Sequence, residues 1–159
     1  MATRGVEMGK MRTMEVGAVM RFDEHTLVGG CGLGDTQVAQ AEAVVRRALG
    51  GLGVDTALLI DDVGNILLQS GESAFGGDLY ALAALAAANF SAMSAMARIL
   101  GEDGFSMLLH KGERENLQVC QVTDELVLVL LFGPGVSLGA LRMSLDTVVR
   151  QLQYILEDG

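Results

Sequence analysis

The chain has 159 residues, which is long enough to bury the core of one domain. Half of the residues are hydrophobic and only 4% are aromatic, so we expect a core of aliphatic and methionine side chains. Its formal net charge of −9 argues against a nucleic acid or an anionic membrane as partner, because both are negatively charged and would repel it. The two cysteines, Cys31 and Cys120, are too few for a disulfide framework, so we expect two free thiols.

The first 34 residues differ from the rest, and we predict a flexible extension (1–34) ahead of a domain spanning 35–159. They hold five of the nine methionines, include a weakly patterned strand candidate, "MEVGAVMRF", and end in "GGCGLGD". The glycine spacing in that last segment is not the G-x-G-x-x-G of dinucleotide sites. The apolar run "VGAVM" is too short for a secretory signal, so we expect a cytoplasmic protein.

From residue 35 the pattern predicts a helix, a hairpin and a second helix. Asp35 is expected to cap the first helix, whose apolar residues recur at three- and four-residue spacing until "GGLG" ends it. "TALLI" and "ILLQS" are typical of two strands joined by the turn "DDVGN". The second helix, rich in alanine, is predicted to begin near Asp78 and to end at Gly101.

Three strands and a final helix complete the pattern. "FSMLLH", "NLQVCQV" and the continuous apolar run "LVLVLLF" predict the strands, and Ser137 is expected to cap the helix. Short connections make these strands an antiparallel meander, while the long helix before them is a crossover. The sequence therefore predicts an α/β (α+β) sandwich with three helices and a five-stranded antiparallel sheet, in the order α-β-β-α-β-β-β-α.

Residues that could carry catalysis are sparse. His25 and His110 are too far apart in the sequence to suggest a pair, and the neighbouring carboxylates Asp61 and Asp62 are typical of a turn rather than of acid–base chemistry. No H-E-x-x-H, G-x-S-x-G, C-x-x-C or P-loop pattern is present. We therefore expect no catalytic residue, no metal site and no cofactor, and a protein that is not itself an enzyme.

The alanine-rich stretch from residue 79 to 100 has the length of a membrane span. However, Asn89 and Arg98 fall inside it and acidic residues flank it, which favours a helix of a soluble domain. We predict that its larger side chains face the sheet: Leu82, Leu85, Met93, Met96, Leu100. Between them lies a mostly small face: Ala84, Ala87, Ala88, Ser91, Ser94, Ala95, Arg98. Either the helix is buried all round, or this face binds another protein, and the limited room on one small sheet favours protein binding.

Three stretches resemble the Roadblock/dynein light chain domain family and, within it, the bacterial MglB proteins. They are "LLIDDVGNILLQSG", "AAANFSAMSAMARILGEDGF" and "LVLVLLFGPGVSLGALRMSL". The patterns N-x-x-A-M, L-G-E-x-x-F and S-L-G-x-x-R are the most specific parts. The resemblance extends from about Val38 to Leu156.

This resemblance implies a profilin-like fold with two helices on one face of the sheet and one on the other. It also implies a homodimer in which the long helices pair and the sheets join edge to edge. In MglB proteins, which are linked to cell polarity and motility, the paired helices hold one Ras-like small GTPase on small residues that match Ser91 and Ala95 here. Hydrolysis is then stimulated without an arginine finger, so Arg98 and Arg142 are expected to be docking or dimer charges. The resemblance leaves open whether this chain activates the GTPase, promotes exchange, or only tethers a partner as an adaptor.

Overall fold

The computed structural model describes residues 32–72 and 78–157. Its elements are α1 (Asp35–Gly50), β1 (Val54–Asp61), β2 (Ile66–Ser70), α2 (Leu79–Ile99), β3 (Met107–Lys111), β4 (Asn116–Gln121), β5 (Leu126–Phe132) and α3 (Leu138–Glu157). The predicted order of elements is confirmed. The strand candidate "MEVGAVMRF", with nearly all of the predicted extension, lies outside the described residues.

Polar side chains and a glycine fix the starts of α1 and α3. Gly34 occupies the N-cap of α1, and its N–H donates to Gln37 Oε1 at 2.9 Å. The prediction that Asp35 is the cap was therefore wrong, because Asp35 is already the first helical residue, where its charge interacts favourably with the helix dipole. Ser137 caps α3 as predicted, and its hydroxyl accepts the Ala140 N–H at 3.3 Å.

The sheet is antiparallel, with the strand order β2-β1-β5-β4-β3. Strand β1 pairs with β5 over most of its length, for example Leu58 opposite Val129, and this joins the first hairpin to the later meander. Every residue of β5 is buried, as expected for the central apolar run "LVLVLLF". Strands β2 and β3 form the two edges of the sheet.

The two faces of the sheet carry two separate apolar clusters. On one face, α1 and α3 cover Leu59, Leu128 and Leu130. On the other face, α2 covers Leu58 and Val129. Side chains alternate between faces along a strand, so neighbouring residues of one apolar run enter different clusters. Two helices on one face and one on the other is the arrangement that the resemblance implied.

Candidate partner-binding surface

Helix α2 is held at both ends by hydrogen bonds. The Asp78 carboxylate accepts two backbone N–H groups of the first turn at 3.0 and 3.1 Å. At the other end, Gly101 has a φ of 77°, and the Glu102 N–H donates to the Ala97 carbonyl at 2.9 Å. The predicted limits of this helix, at Asp78 and Gly101, are confirmed.

Small side chains and one aromatic ring pack α2 onto the sheet. The buried residues of this helix are Ala83, Ala86, Ala87, Phe90, Ala97. Except for Ala97, they belong to one apolar cluster with strand residues that include Leu58, Ile60 and Val129. Because these large strand side chains fill the space between the two layers, the helix side of the contact is made mostly of alanine.

The prediction that the larger residues of α2 face the sheet was therefore wrong. Leu85 and Leu100 are each 69% exposed and Met96 is 46% exposed, while Leu82 and Met93 are half-buried. Leucine was expected inside because burial of its side chain is favourable. Here the strands supply the volume, so the helix places its large side chains outward.

The β1–β2 turn lies against one flank of α2. The Asp61 carboxylate holds this turn, accepting the Val63 and Asn65 N–H groups at 3.1 and 2.8 Å, so the predicted role of Asp61 as a turn former is confirmed. Within the turn, Gly64 packs so closely on the helix backbone that an added Cβ would lie 2.5 Å from the Ala84 Cα. Ala84 therefore marks the flank of α2 that faces the hairpin.

Most of the predicted small face continues along this flank. Positions separated by alternating steps of four and three residues share one side of a helix. Five residues of the predicted face have this spacing: Ala84, Ala88, Ser91, Ala95, Arg98. All five are exposed, and we call them the small flank.

Two members of the predicted face are placed differently. Ser94 is half-buried, and its hydroxyl donates to the Phe90 carbonyl at 3.0 Å. Ala87 is only 3% exposed because it faces the sheet. The structure thus corrects the placement of Ala87, which belongs to the core of the domain.

The opposite flank of α2 faces strand β3. The Asn89 amide donates to His110 Nε2 across 2.9 Å, and His110 is exposed on β3, an edge strand. Two other residues of β3, Leu109 at 42% exposure and Lys111, are also exposed. An edge strand presents backbone N–H and C=O groups without strand partners, and these favour pairing with a further strand.

A second pattern follows this flank, at alternating spacings of three and four residues. We call it the apolar seam, and it consists of Leu82, Leu85, Asn89, Ala92, Met96, Ile99. Ile99 is 84% exposed, and Asn89, within the seam, is hydrogen-bonded to His110 of the edge strand β3. Three–four spacing is the pattern by which two helices pair. Three of these residues, Leu82, Leu85 and Met96, were predicted to lie in the core, so the seam was not predicted although its spacing is present in the sequence.

The described residues offer little for catalysis or metal binding. Among them no group of three or more His, Cys, Asp or Glu side chains could hold a metal ion. Burial raises the pKa of the Cys120 thiol to about 12, although a hydrogen bond with Gln118 lowers it, so the thiol is protonated at neutral pH. His25 and Cys31 lie outside the described residues.

By length and composition, α2 is the one helix in the described part of the chain that could cross a membrane. Only 17% of its most apolar 18-residue stretch is buried within the chain. It nevertheless packs along the sheet through Ala83 and Phe90, as a helix of a layered domain does. The unusual feature of α2 is therefore the amount of apolar surface that it leaves uncovered.

The fold and this exposed helix define a Roadblock domain. The family model described as Roadblock/LC7 domain matches residues 40–132, and the chain belongs to this family. Among curated protein sequences, none matches the chain at a significant level.

Solved structures of MglB proteins are similar to the chain over most of its length. The gliding protein MglB from Thermus thermophilus is 31% identical, with a TM-score of 0.72, over 80% of this chain and 96% of that one. An MglB structure with a tetrameric arrangement is also 31% identical, with a TM-score of 0.72, over 79% and 94% of the two chains. Myxococcus xanthus MglB is 28% identical, with a TM-score of 0.70, over 75% and 96%.

The likeness extends, at the level of fold alone, to profilin. Profilin IA of Acanthamoeba castellanii is 16% identical, with a TM-score of 0.50, over 70% of this chain and 95% of that one. The predicted profilin-like Roadblock architecture is therefore confirmed.

Proposed function

We propose that this protein is a cytoplasmic homodimer that binds a small Ras-like GTPase on α2 and regulates its GTP hydrolysis. The observation that carries the proposal is the exposed apolar seam of α2 beside the open edge of β3, in a fold shared with MglB. Roles in cell polarity or motility belong to the same proposal.

A second copy of the chain would cover both of these features at once. The Asn89–His110 hydrogen bond shows that seam and edge lie next to each other. A two-fold axis beside them would pair the two α2 helices and extend the sheet through both β3 strands. Exposed leucine, methionine and isoleucine side chains would then be buried, which favours association.

In this dimer the small flank of α2 remains free for the GTPase. Ala84, Ser91 and Ala95 are exposed on the side that faces the hairpin, away from Asn89 and the seam. Side chains this small would let the switch segments of a GTPase approach the helix backbone closely. Arg98, at the end of this flank, would supply a docking charge, and Ser94 would lie at its border.

Regulation in this proposal acts through the partner's own catalytic residues. Arg98 is the one charged residue within α2, and it lies in the last turn rather than at the centre of the small flank. The expected stimulation is therefore smaller than the roughly 10³–10⁵-fold effect of an inserted arginine finger.

The proposal is tested by measuring single-turnover phosphate release from a GTP-loaded Ras-like GTPase. The GTPase used is one whose gene lies beside the gene of this chain. We expect hydrolysis to accelerate by about tenfold or more when the chain is added in excess, below the effect of an arginine finger. A complex without any change in hydrolysis or exchange would indicate an adaptor instead. No complex and no kinetic effect would contradict the proposal.

A further inference from the structure

A groove runs between α1 and α3, on the face of the sheet opposite α2. Its volume is about 350 Å³, and its lining residues are Val44, Arg47, Arg150, Gln151, Tyr154, Ile155. The Gln37 amide donates to the Ile155 carbonyl at 3.0 Å and ties the two helices together at one end. The groove therefore lies between two helices that this hydrogen bond joins at one end.

The floor of this groove is apolar. Val44 and Ile155 are half-buried between the helices, and the side chain of Tyr154 is 71% exposed. An exposed tyrosine beside aliphatic groups offers a large contact area together with one hydroxyl for hydrogen bonding. Such a surface is suited to a protein segment with an apolar face.

Cations flank the apolar floor. Arg47, from α1, and Arg150, from α3, are both exposed, and neither forms an ion pair with another described residue. Their neighbour Arg46, in contrast, is bound to Glu42 at 3.2 Å. In a chain with a net charge of −9, two guanidinium groups that form no ion pair with a described residue offer a local site for carboxylates at this groove.

We propose that the groove between α1 and α3 binds an acidic, amphipathic segment of a partner protein. An extended or helical segment would place its apolar side chains on Val44, Tyr154 and Ile155, and its carboxylates beside Arg47 and Arg150. This site does not depend on the proposed GTPase function. Because it lies on the other face of the sheet, it can be occupied while α2 is bound.

Three fluorescent peptides of about 15 residues, long enough to form a helix on binding, test the proposal by anisotropy. The first peptide carries a stripe of leucines flanked by glutamates, and the second carries the same stripe flanked by lysines. The third has the composition of the first in scrambled order. We expect the acidic amphipathic peptide to bind at least tenfold more tightly than either of the others. Its affinity should fall as salt is raised.

Charge reversal locates the site. Arg47→Glu with Arg150→Glu should weaken the acidic amphipathic peptide at least tenfold. The matched control is Arg46→Glu with Arg114→Glu, which changes the net charge equally at exposed residues that do not line the groove and should leave binding unchanged. Circular dichroism establishes that both variants are folded.

Three results would overturn this proposal. The first is equal binding of the acidic and basic peptides, and the second is an equal effect of the two double variants. The third is seen in sedimentation: the wild type assembles beyond a dimer as its concentration rises, and Arg47→Glu with Arg150→Glu abolishes this assembly. The occupant of the groove would then be a second copy of this chain. If variants of α2 lose GTPase regulation but still bind the peptide, the groove and α2 are independent binding sites.

Discussion

The backbone of Gly64 lies directly against that of Ala84, close enough that a Cβ on Gly64 would approach the Ala84 Cα to 2.5 Å. Gly64 also has a φ of +94°, which residues with a Cβ rarely adopt. This contact joins the β1–β2 turn to α2 and sets the position of the small flank relative to the hairpin. A side chain at Gly64 would have to move the helix.

Replacing Gly64 tests this contact. Gly64→Ala should destabilise the protein by about 2–4 kcal/mol, from about 1 kcal/mol of backbone strain and about 1–3 kcal/mol of overpacking. Urea unfolding measures the difference. Gly101→Ala is the control, because Gly101 has a φ of +77° but nothing within 4 Å of its added Cβ, so it should cost only about 1 kcal/mol of strain. Equal losses for both variants would contradict the close contact.

The buried Cys120 thiol predicts a decline of stability in alkaline solution. Burial raises its pKa to about 12 in the folded protein, whereas an unfolded cysteine ionises near a pKa of about 8.5. Between these values the unfolded state holds fewer protons, so stability falls as the pH rises, by up to about 1.4 kcal/mol per pH unit. Below about pH 8.5 the thiol is protonated in both states and adds no pH dependence to the stability.

Urea unfolding from about pH 7 to about pH 10, for the wild type and for Cys120→Ala, measures this contribution. Other titrating groups are common to both proteins, so the difference between the two isolates Cys120. We expect the alanine variant to be less stable at neutral pH because a buried group is lost, and to show the shallower alkaline decline. Parallel curves would show that the thiol ionises equally in both states.

The apolar seam predicts which substitutions separate a dimer. Leu85→Glu with Ile99→Glu would place four carboxylates in the paired helices, so we expect the dimer dissociation constant to rise at least about 100-fold, about 2.7 kcal/mol. Met143→Glu is the control, because Met143 is 77% exposed but lies on α3. Sedimentation equilibrium distinguishes the variants. Equal masses for all three proteins would show that the seam does not carry the interface.

The small flank predicts a variant that loses its partner and keeps its fold. Ser91→Arg with Ala95→Arg places two large charged groups on exposed positions, where close approach of a GTPase is proposed. Circular dichroism should be unchanged, whereas binding to the GTP-loaded partner should fall below detection. If the variant unfolds, these positions carry packing within the domain. If it binds normally, the GTPase sits elsewhere.

Much of the fold could be predicted because each element carried a local signal. The run "LVLVLLF" indicated a strand covered on both faces, the turn "DDVGN" required the Asp61 hydrogen bonds now observed, and Ser137 marked the start of α3. The one incorrect cap, Asp35, is a shift of a single residue. The cap position depends on which local hydrogen bond forms, and here the Gly34 N–H donates to the Gln37 side chain. The periodicity of apolar residues does not reveal that bond.

The orientation of α2 could not be predicted by the same reasoning. Periodicity showed that Leu85 and Met96 share one side of the helix, but not whether that side faced inward. The answer depends on the volume that Leu58 and Ile60 already fill on the sheet, a tertiary property that overrides the preference of leucine for the interior. All five residues of the small flank belong to the face predicted from the sequence, whereas Ala87, also predicted there, is buried against the sheet for the same reason.

In the proposed complex, two copies of this chain present one GTPase-binding surface, and the mass of the complex tests this stoichiometry most directly. Light scattering should be recorded on the complex with a Ras-like GTPase held in its triphosphate form by a non-hydrolysable analogue. Two copies of this 16.7 kDa chain for one GTPase is the predicted result. A complex of one copy with one GTPase, in which the apolar seam remains uncovered, would contradict it.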